Sequence, residues 1–406
     1  MKATKILLVD DDPAMRAIPR LFLRKWGYEV IEASDGAEAL EILSHEEIGL
    51  VISDWMMPNL SGVDLCRKIR ATESDRYTYL ILCTSKGEKS DLIEGMEAGA
   101  DDFLVKPISK EEMRVRVRAG ERVVNLERGL ADRNRELRVT NERLESAQAH
   151  IEADLKAAAW MQINLLPTPS KKILNVTSEW RYRPSGYLAG DIFNVFPVDD
   201  YRIGFYLLDV SGHGVPAAML SVTLSMVLSP ASAHGTPLKR YNAETGVFDL
   251  VDPADVVKDL NQRFQDTDDQ YFTIIYGLLD TRTGDLAMTQ AGHPNPALIR
   301  RDQTVEMLGD GGAPVGLLPN MEYETIRARL YPGDRLILYS DGIIECASPD
   351  GTQFGETRLL DCLAGHAGET LATMLEGLES SIERWREIGR TGEFVDDVSM
   401  LALEFE

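Results

Sequence analysis

The chain has 406 residues, 44% of them hydrophobic and 27% charged, and its 66 acidic against 43 basic side chains give a formal net charge of −23. The length suits about two to four folding units. The charge argues against nucleic acid as a partner, because binding a phosphate backbone depends on clustered Lys and Arg that displace counterions. A membrane span is also excluded. The longest mostly apolar run, 217–228, is shorter than the roughly 20 residues a bilayer needs and is broken by Ser and Thr. Cys66, Cys83, Cys346 and Cys362 form no CxxC pair, so neither a zinc site nor a disulfide framework is expected, and a reducing cytoplasmic setting is.

Over residues 1–120, short apolar runs at 6–9, 30–31, 50–52, 80–83 and 103–105 alternate with amphipathic segments. Five such runs predict a doubly wound α/β fold with a five-stranded parallel sheet, in which ligands gather at the carboxyl ends of the strands. Asp10-Asp11-Asp12 follows the first run, Asp54 the third, Thr84-Ser85 the fourth and Lys106-Pro107 the fifth. Carboxylates meeting at one point repel unless a cation lies among them, and an all-oxygen set suits Mg²⁺. Gly27 and Gly99 stand as helix C-caps and 109–112 as a capping box. Pro19 falls inside the first helix, where it is expected to kink or shorten it.

These residues resemble the receiver domain of two-component response regulators, over the whole unit. The resemblance implies that Asp54 accepts a phosphoryl group from a sensor histidine kinase. It further implies that Asp11 and Asp12 hold Mg²⁺ with Asp54 and the carbonyl of Met56, that Thr84 and Lys106 contact the phosphoryl oxygens, and that Phe103 is the switch aromatic.

From 121 to 166 the sequence is charge-rich and nearly free of Gly and Pro. Val123, Leu130, Leu137, Leu144, Ile151 and Ala158 recur every seven residues, which is the coiled-coil period. Three residues on, Leu126, Ala147 and Met161 suit a seam, whereas Arg133, Thr140 and Asp154 do not. The pattern predicts a helical linker pairing weakly in a parallel homodimer; the alternative is a single long helix packed on a neighbour. Pro167 ends it. The segment 159–167, with Gln162 before Leu165-Leu166-Pro167, resembles the stretch preceding the phosphatase domain in RsbU-type regulators.

From 167 to 406 strand patterns dominate, at 204–208, 272–279, 286–289, 297–300, 335–339 and 398–403, with helical spacing at 216–228 and 253–264. An α+β layered β-sandwich is predicted, with 229–252 a turn-rich surface insertion. The stretch 207–220 is central: a buried strand ends on Asp209, a glycine-rich turn follows, and a buried helix begins. Acids again stand at strand ends and turns, as Asp191, Asp209, Asp341, Asp396 and Asp397. Carboxylates from separate strands converge only around metal, and two Mg²⁺ or Mn²⁺ ions lower the pKa of a bridging water enough for it to attack a phosphate monoester.

The motifs at 209–214, 291–294, 332–334, 339–342 and 396–399 resemble the SpoIIE/RsbU branch of the metal-dependent (PPM) serine/threonine phosphatases. The resemblance implies Asp191, Asp209, Asp341 and Asp396 as metal ligands, the Val210 carbonyl as a further ligand, Asp209 as the bridge between ions, and Asp397 as an acid able to act in place of Asp396. The branch usually carries a second Asp where this chain has Asn194, so weaker binding of one ion or an altered rate is expected. His213 and His293 are read as stabilising turns. Together the units imply a phosphorylation-controlled regulator that dephosphorylates a protein, an anti-sigma-factor antagonist by resemblance. The alternative is a non-catalytic adaptor that binds a sigma factor or its regulator through a degenerate phosphatase fold.

Overall fold

The computed structural model describes residues 4–72, 76–85, 89–230, 236–243, 246–265, 270–387 and 394–406. The chain divides into two compact units, Met1–Gln148 and Ala149–Glu406.

In the first unit the order is β1 (Lys5–Val9), α1 (Pro13–Lys25), β2 (Glu29–Ala33), α2 (Gly36–His45), β3 (Leu50–Asp54), α3 (Gly62–Ala71), β4 (Tyr79–Thr84), α4 (Lys89–Glu97), β5 (Asp102–Val105) and α5 (Lys110–Ile163). The five strands form one parallel sheet in the order β2-β1-β3-β4-β5. Helices cover both faces, which is why β1, β3 and β4 read as unbroken apolar runs. Alternate residues serve the two layers. Ile6, Leu8, Ile52 and Ile81 pack with Leu23 of α1 and Met113 and Val117 of α5, while Leu7, Val9, Val51 and Leu80 pack with Ala39, Leu65 and Cys66 of α2 and α3.

Local signals set the helix ends. Asp12 adopts an extended conformation and accepts from the Ala14 N–H, with Pro13 at the first helical position. Gly27 and Gly99 take φ of +93° and +95°, the left-handed C-cap geometry that a side chain resists. Pro19 does not shorten α1, which runs on to Lys25 with the proline ring buried.

Helix α5 starts where Ser109 Oγ accepts from the Glu112 N–H, and it continues for 54 residues, about 80 Å. Its first turns bury Met113, Val117 and Val124 against the sheet. Beyond them Leu130, Leu137, Leu144 and Ile151 are 55–63% exposed. The linker is thus one continuous helix with an apolar row on its surface.

The second unit contains β6 (Lys171–Ile173), β7 (Val176–Arg183), β8 (Ile192–Pro197), β9 (Arg202–Val210), α6 (Val215–Val227), β10 (Lys239–Asn242), β11 (Val247–Leu250), α7 (Pro253–Arg263) and β12 (Phe272–Asp280). After these come β13 (Asp285–Ala291), β14 (Ala297–Ile299), β15 (Val305–Met307), β16 (Ile326–Arg329), β17 (Arg335–Tyr339), α8 (Asp341–Ile344), α9 (Gly355–Gly365), α10 (Leu371–Glu387) and β18 (Val398–Phe405). Two sheets, β16-β13-β12-β9-β8 and β15-β14-β17-β18-β7-β6, face one another. Helices α6 and α7 pack on the first, and α9 and α10 on the second. Phe193 of β8 fills the space between the sheets, with its ring 5.5 Å from Trp180 and 6.1 Å from Tyr182 of β7.

The predicted layered sandwich is present. Of the segment 229–252, residues 231–235 and 244–245 lie outside the described residues; among the rest, β10 and β11 pair antiparallel, and Tyr241 and Phe248 meet edge to face across them. Among the described residues no helix is long and apolar enough to cross a membrane.

Candidate metal centres

In the first unit, β1 and β3 deliver Asp10, Asp11 and Asp54 to one end of the sheet. A carboxylate oxygen from each lies within 4.8 Å of the others, a spacing one ion can bridge. Lys106 completes the cluster, its Nζ 2.7 Å from Asp54 and 2.9 Å from Asp10. Burial pushes the Asp54 carboxyl up despite the ammonium beside it. For Lys106 burial acts downward, yet hydrogen bonds to Asp54 and Asp10 prevail and hold it charged. Three acids against one cation leave negative charge that a divalent ion would neutralise, so the donor set fits Mg²⁺.

This corrects the expected pair Asp11 and Asp12. The Asp12 carboxylate is taken up in capping α1, and Asp10, at the end of β1, stands in the cluster instead. Asp12 serves it indirectly, donating its N–H to Asp10 Oδ1 at 3.0 Å. Thr84 is buried at the end of β4, and its carbonyl accepts from Lys106 N. Phe103 is half-buried on β5 beneath the Arg116 guanidinium. Met56 is exposed in the loop after Asp54. A Cβ on Gly62 would lie 2.0 Å from the Asp54 carbonyl, so only glycine lets α3 close on the acceptor loop.

In the second unit the acids come from both sheets. The β8–β9 register pairs Ile192 with Leu208, which sets Asp191 beside Asp209. Gly190 permits this approach, since a Cβ there would stand 2.7 Å from the Val210 carbonyl and 3.4 Å from Asp209 Oδ1. From the other sheet, Asp341 opens α8 and Asp396 precedes β18. Gly342 lies so close to the Asp397 carbonyl that a Cβ would be 2.1 Å away. Ser340 locks the two segments together, donating to the Asp397 carbonyl at 3.1 Å and accepting from the Ser399 N–H at 2.9 Å.

Burial and mutual repulsion raise the proton affinity of these acids. Asp191 is buried, and neither of its carboxylate oxygens has a hydrogen-bond partner among the described residues. Burial, then Asp209 and Asp397, drives its pKa far above the carboxylate range. Burial followed by Asp341, Asp396 and Asp397 raises Asp209 strongly. Asp341 is pushed up to about 6 by burial, Asp396 and Glu345. A buried carboxylate with unpartnered oxygens, ringed by further acids, fits a cation. Among the described residues these acids do not form one tight triad of the kind made by Asp10, Asp11 and Asp54.

Asp397 is placed differently from its expected role as substitute ligand. Its Oδ1 accepts from the Ser185 N–H and hydroxyl, and its Oδ2 from the Gly190 N–H at 2.7 Å. It therefore ties the loop before Asp191 to the start of β18, with hydrogen bonds to both of its oxygens. Asn194 also departs from expectation. Side chains alternate along β8, so Asn194 is on the face opposite Asp191. Its Oδ1 is taken up by the Val195 N–H, and it sits across from Tyr206.

His293 is buried, with Nδ1 2.8 Å from the Thr273 hydroxyl. Burial pushes it down to about 3, and a neutral imidazole tying β12 to the 291–294 turn is structural. His213 is exposed in the turn before α6. Asp334 of the 332–334 motif is a buried staple, accepting from Arg301 N and Tyr331 N and from Arg300.

One functional residue had no assigned role in the sequence. Gln162, on the last turn of α5, is buried in the second unit. Its Nε2 donates to the Ala189 carbonyl at 2.7 Å and to Ser221 Oγ of α6 at 3.2 Å, and its Oε1 accepts from the Ala189 N–H at 3.2 Å. Lys156, two turns earlier, lies over the Tyr187 ring. The linker helix thus ends in direct contact with the loop that carries Gly190 and Asp191.

Comparison with known proteins agrees with this anatomy. The family model for stage II sporulation protein E (SpoIIE) matches residues 199–406, and that for the response regulator receiver domain matches 6–118. The SiaA-PP2C domain of Pseudomonas aeruginosa has the same fold, with a TM-score of 0.53 and 21% identity over 64% of this chain and 99% of that one. The transcriptional regulatory protein ResD of Bacillus subtilis is 40% identical over 116 residues, 29% of this chain and 47% of that protein. The probable transcriptional regulator ycf27 of Porphyridium aerugineum is 44% identical over 119 residues, 29% and 48% respectively. The chain spans about half the length of the curated relatives it matches. With over half its length matched, the chain belongs to the SpoIIE family, and it carries a response-regulator receiver domain ahead of its PP2C-like domain.

Proposed function

We propose that this chain is a response regulator whose output is metal-dependent hydrolysis of phosphoserine or phosphothreonine on a protein. Its parts are a receiver (1–120), a helical linker (121–166) and a phosphatase domain (167–406). The observation that carries the reading is Asp191, buried with both oxygens unpartnered beside Asp209, Asp341 and Asp396. Two Mg²⁺ or Mn²⁺ ions, when bound, would activate a water for in-line attack on a phosphate monoester. Asp209 would bridge them, Asp191, Asp341 and Asp396 with the Val210 carbonyl would hold them, and Asp397 would fix the Asp191 loop.

In the receiver, Asp54 takes the phosphoryl group from a sensor histidine kinase. Asp10, Asp11, Asp54 and the Met56 carbonyl hold Mg²⁺, and Thr84, Lys106 and Phe103 register the change. The exposed heptad row Leu130, Leu137, Leu144 and Ile151 supports a coiled-coil homodimer. A shift in that pairing reaches the metal site through Gln162 and Ala189. The substrate we favour is an anti-sigma-factor antagonist, as the family resemblance implies, in a cytoplasm that keeps the four free cysteines reduced. The adaptor reading requires a degenerate site, and the presence of Asp191, Asp209, Asp341 and Asp396 speaks against it.

Hydrolysis of a phosphoserine-bearing protein in Mn²⁺ tests the reading. Turnover by the wild type that is lost in Asp209→Asn is the expected result, and no metal-dependent turnover on any phosphoserine protein would overturn it.

A further inference from the structure

We propose that the receiver unit carries a second anion site, separate from the phosphoryl site at Asp54, that binds a short linear polyphosphate, free or attached to a nucleoside. The site is a groove along the first turns of α5. A cavity of about 460 Å³ opens between α5 and the α1–β2 turn, lined by Lys25, Trp26, Tyr28, Arg114 and Arg118. A second hollow of about 440 Å³ continues along the helix past Arg118, Arg122 and Asn125. The α1–β2 turn lies at the amino ends of the strands, so the groove is at the opposite end of the sheet from Asp54.

Arg114, Arg118 and Arg122 are spaced four residues apart and share one face of α5. At a rise of about 1.5 Å per residue they span about 12 Å, and with Lys25 they present four cations in a row. Within the unit Arg16, Arg20, Arg67, Arg70, Arg76 and Arg116 pair with carboxylates; Arg24 and Arg128 have no ion pair among the described residues, but neither lines these hollows. Lys25, Arg118 and Arg122 have no ion pair or hydrogen bond among the described residues, and Arg114 has only the Trp26 ring beneath it.

The acid in the cavity does not neutralise them. Glu121 accepts from the Thr4 hydroxyl at 3.4 Å and from the Tyr28 hydroxyl at 2.8 Å, which makes it part of the inner wall. Four cations set along a hollow against the single acid Glu121, which lines both parts of it, are matched by a ligand that brings several charges in a line. Because the same helix continues as the linker, such a ligand would brace α1 and β2 against its root.

Isothermal titration of the full chain with sodium tripolyphosphate tests this, in EDTA so that neither metal centre can hold phosphate. Saturable binding of one ligand per chain is expected. It should weaken at least about tenfold in Arg114→Ala/Arg118→Ala, the loss of one or more charge-assisted hydrogen bonds, and persist in Lys106→Ala. Alanine at exposed helical positions keeps the fold, which circular dichroism would verify. Absence of saturation up to about 10 mM, equal affinity in the double variant, or loss in Lys106→Ala would each overturn the proposal. Parallel titrations with ATP separate the sources: tighter binding than tripolyphosphate identifies a nucleotide, and equal binding identifies the phosphate chain alone.

Discussion

Replacing Gln162 with leucine keeps the volume of the side chain and removes its hydrogen bonds. Ala189 is fully buried, so its N–H and carbonyl, both bonded to Gln162, would be left without partners. Each such group costs about 1–3 kcal/mol, and the pair should destabilise the second unit by about 2–6 kcal/mol. At about 2–4 °C per kcal/mol for a unit of this size, Tm falls by at least about 4 °C. The cost falls next to Gly190, whose N–H is held by Asp397, and next to Asp191. Ion binding must then restore the 189–191 conformation, and every 1.4 kcal/mol spent on this weakens Mn²⁺ affinity about tenfold. Differential scanning calorimetry gives the first quantity, and a Mn²⁺ titration of p-nitrophenyl phosphate hydrolysis the second. An unchanged Tm together with an unchanged Mn²⁺ half-saturation point would refute the claim that the end of the linker holds the Asp191 loop in place.

Three further outcomes follow from the geometry. Asp341, Asp209 and Asp191 have raised pKa values in the folded, metal-free chain, so the native state binds more protons than the unfolded one; stability is fully present below the ordinary Asp pKa and is lost as pH rises through the folded values. Metal-free protein should therefore lower its Tm as pH increases from about 4 through 6 and beyond, and Mn²⁺ should reverse the trend; a Tm rising over that range without metal contradicts the buried acid cluster. Asn194→Asp, which restores the usual residue of the branch, should leave Mn²⁺ affinity unchanged and cost about 1–3 kcal/mol of stability by placing a carboxylate against buried Tyr206; tighter Mn²⁺ binding would show that the side chain reaches the acids. Leu137→Glu/Leu144→Glu should reduce the mass seen by light scattering from twice 45.2 kDa to 45.2 kDa, and a wild type that is monomeric at high concentration removes the dimer.

Much of this could be read from the residues because burial leaves a period. The receiver strands are apolar on both faces and flanked by helical spacing, and the heptad row of α5 needs no tertiary information. What failed was register at single positions. Asp12 precedes Pro13, and an acid before a proline at the first helical position is an N-cap signal; weighing it would have placed Asp10 and Asp11 in the cluster with Asp54. The facing of Asn194 follows from counting along β8 from Asp191 in steps of two.

The contacts of other residues were not legible. Gln162 is marked by its place before Leu165-Leu166-Pro167, but its partners, a carbonyl 27 residues away and a hydroxyl 59 away, follow only from tertiary packing. The role of Asp397 depends on a pairing with Ser185 and Gly190 more than 200 residues distant. Both are products of tertiary packing between distant segments.

The central claim is that phosphorylation at Asp54 sets the rate at the Asp209 centre. The direct measurement is Mn²⁺-dependent hydrolysis of p-nitrophenyl phosphate by the full chain, before and after treatment with a small-molecule phosphodonor, with Asp54→Ala and Asp209→Asn alongside. The account predicts turnover that changes on treatment in the wild type, does not respond in Asp54→Ala, and is absent in Asp209→Asn. Identical turnover with and without the phosphodonor in the wild type, once phosphorylation of Asp54 has been verified by mass, would contradict it.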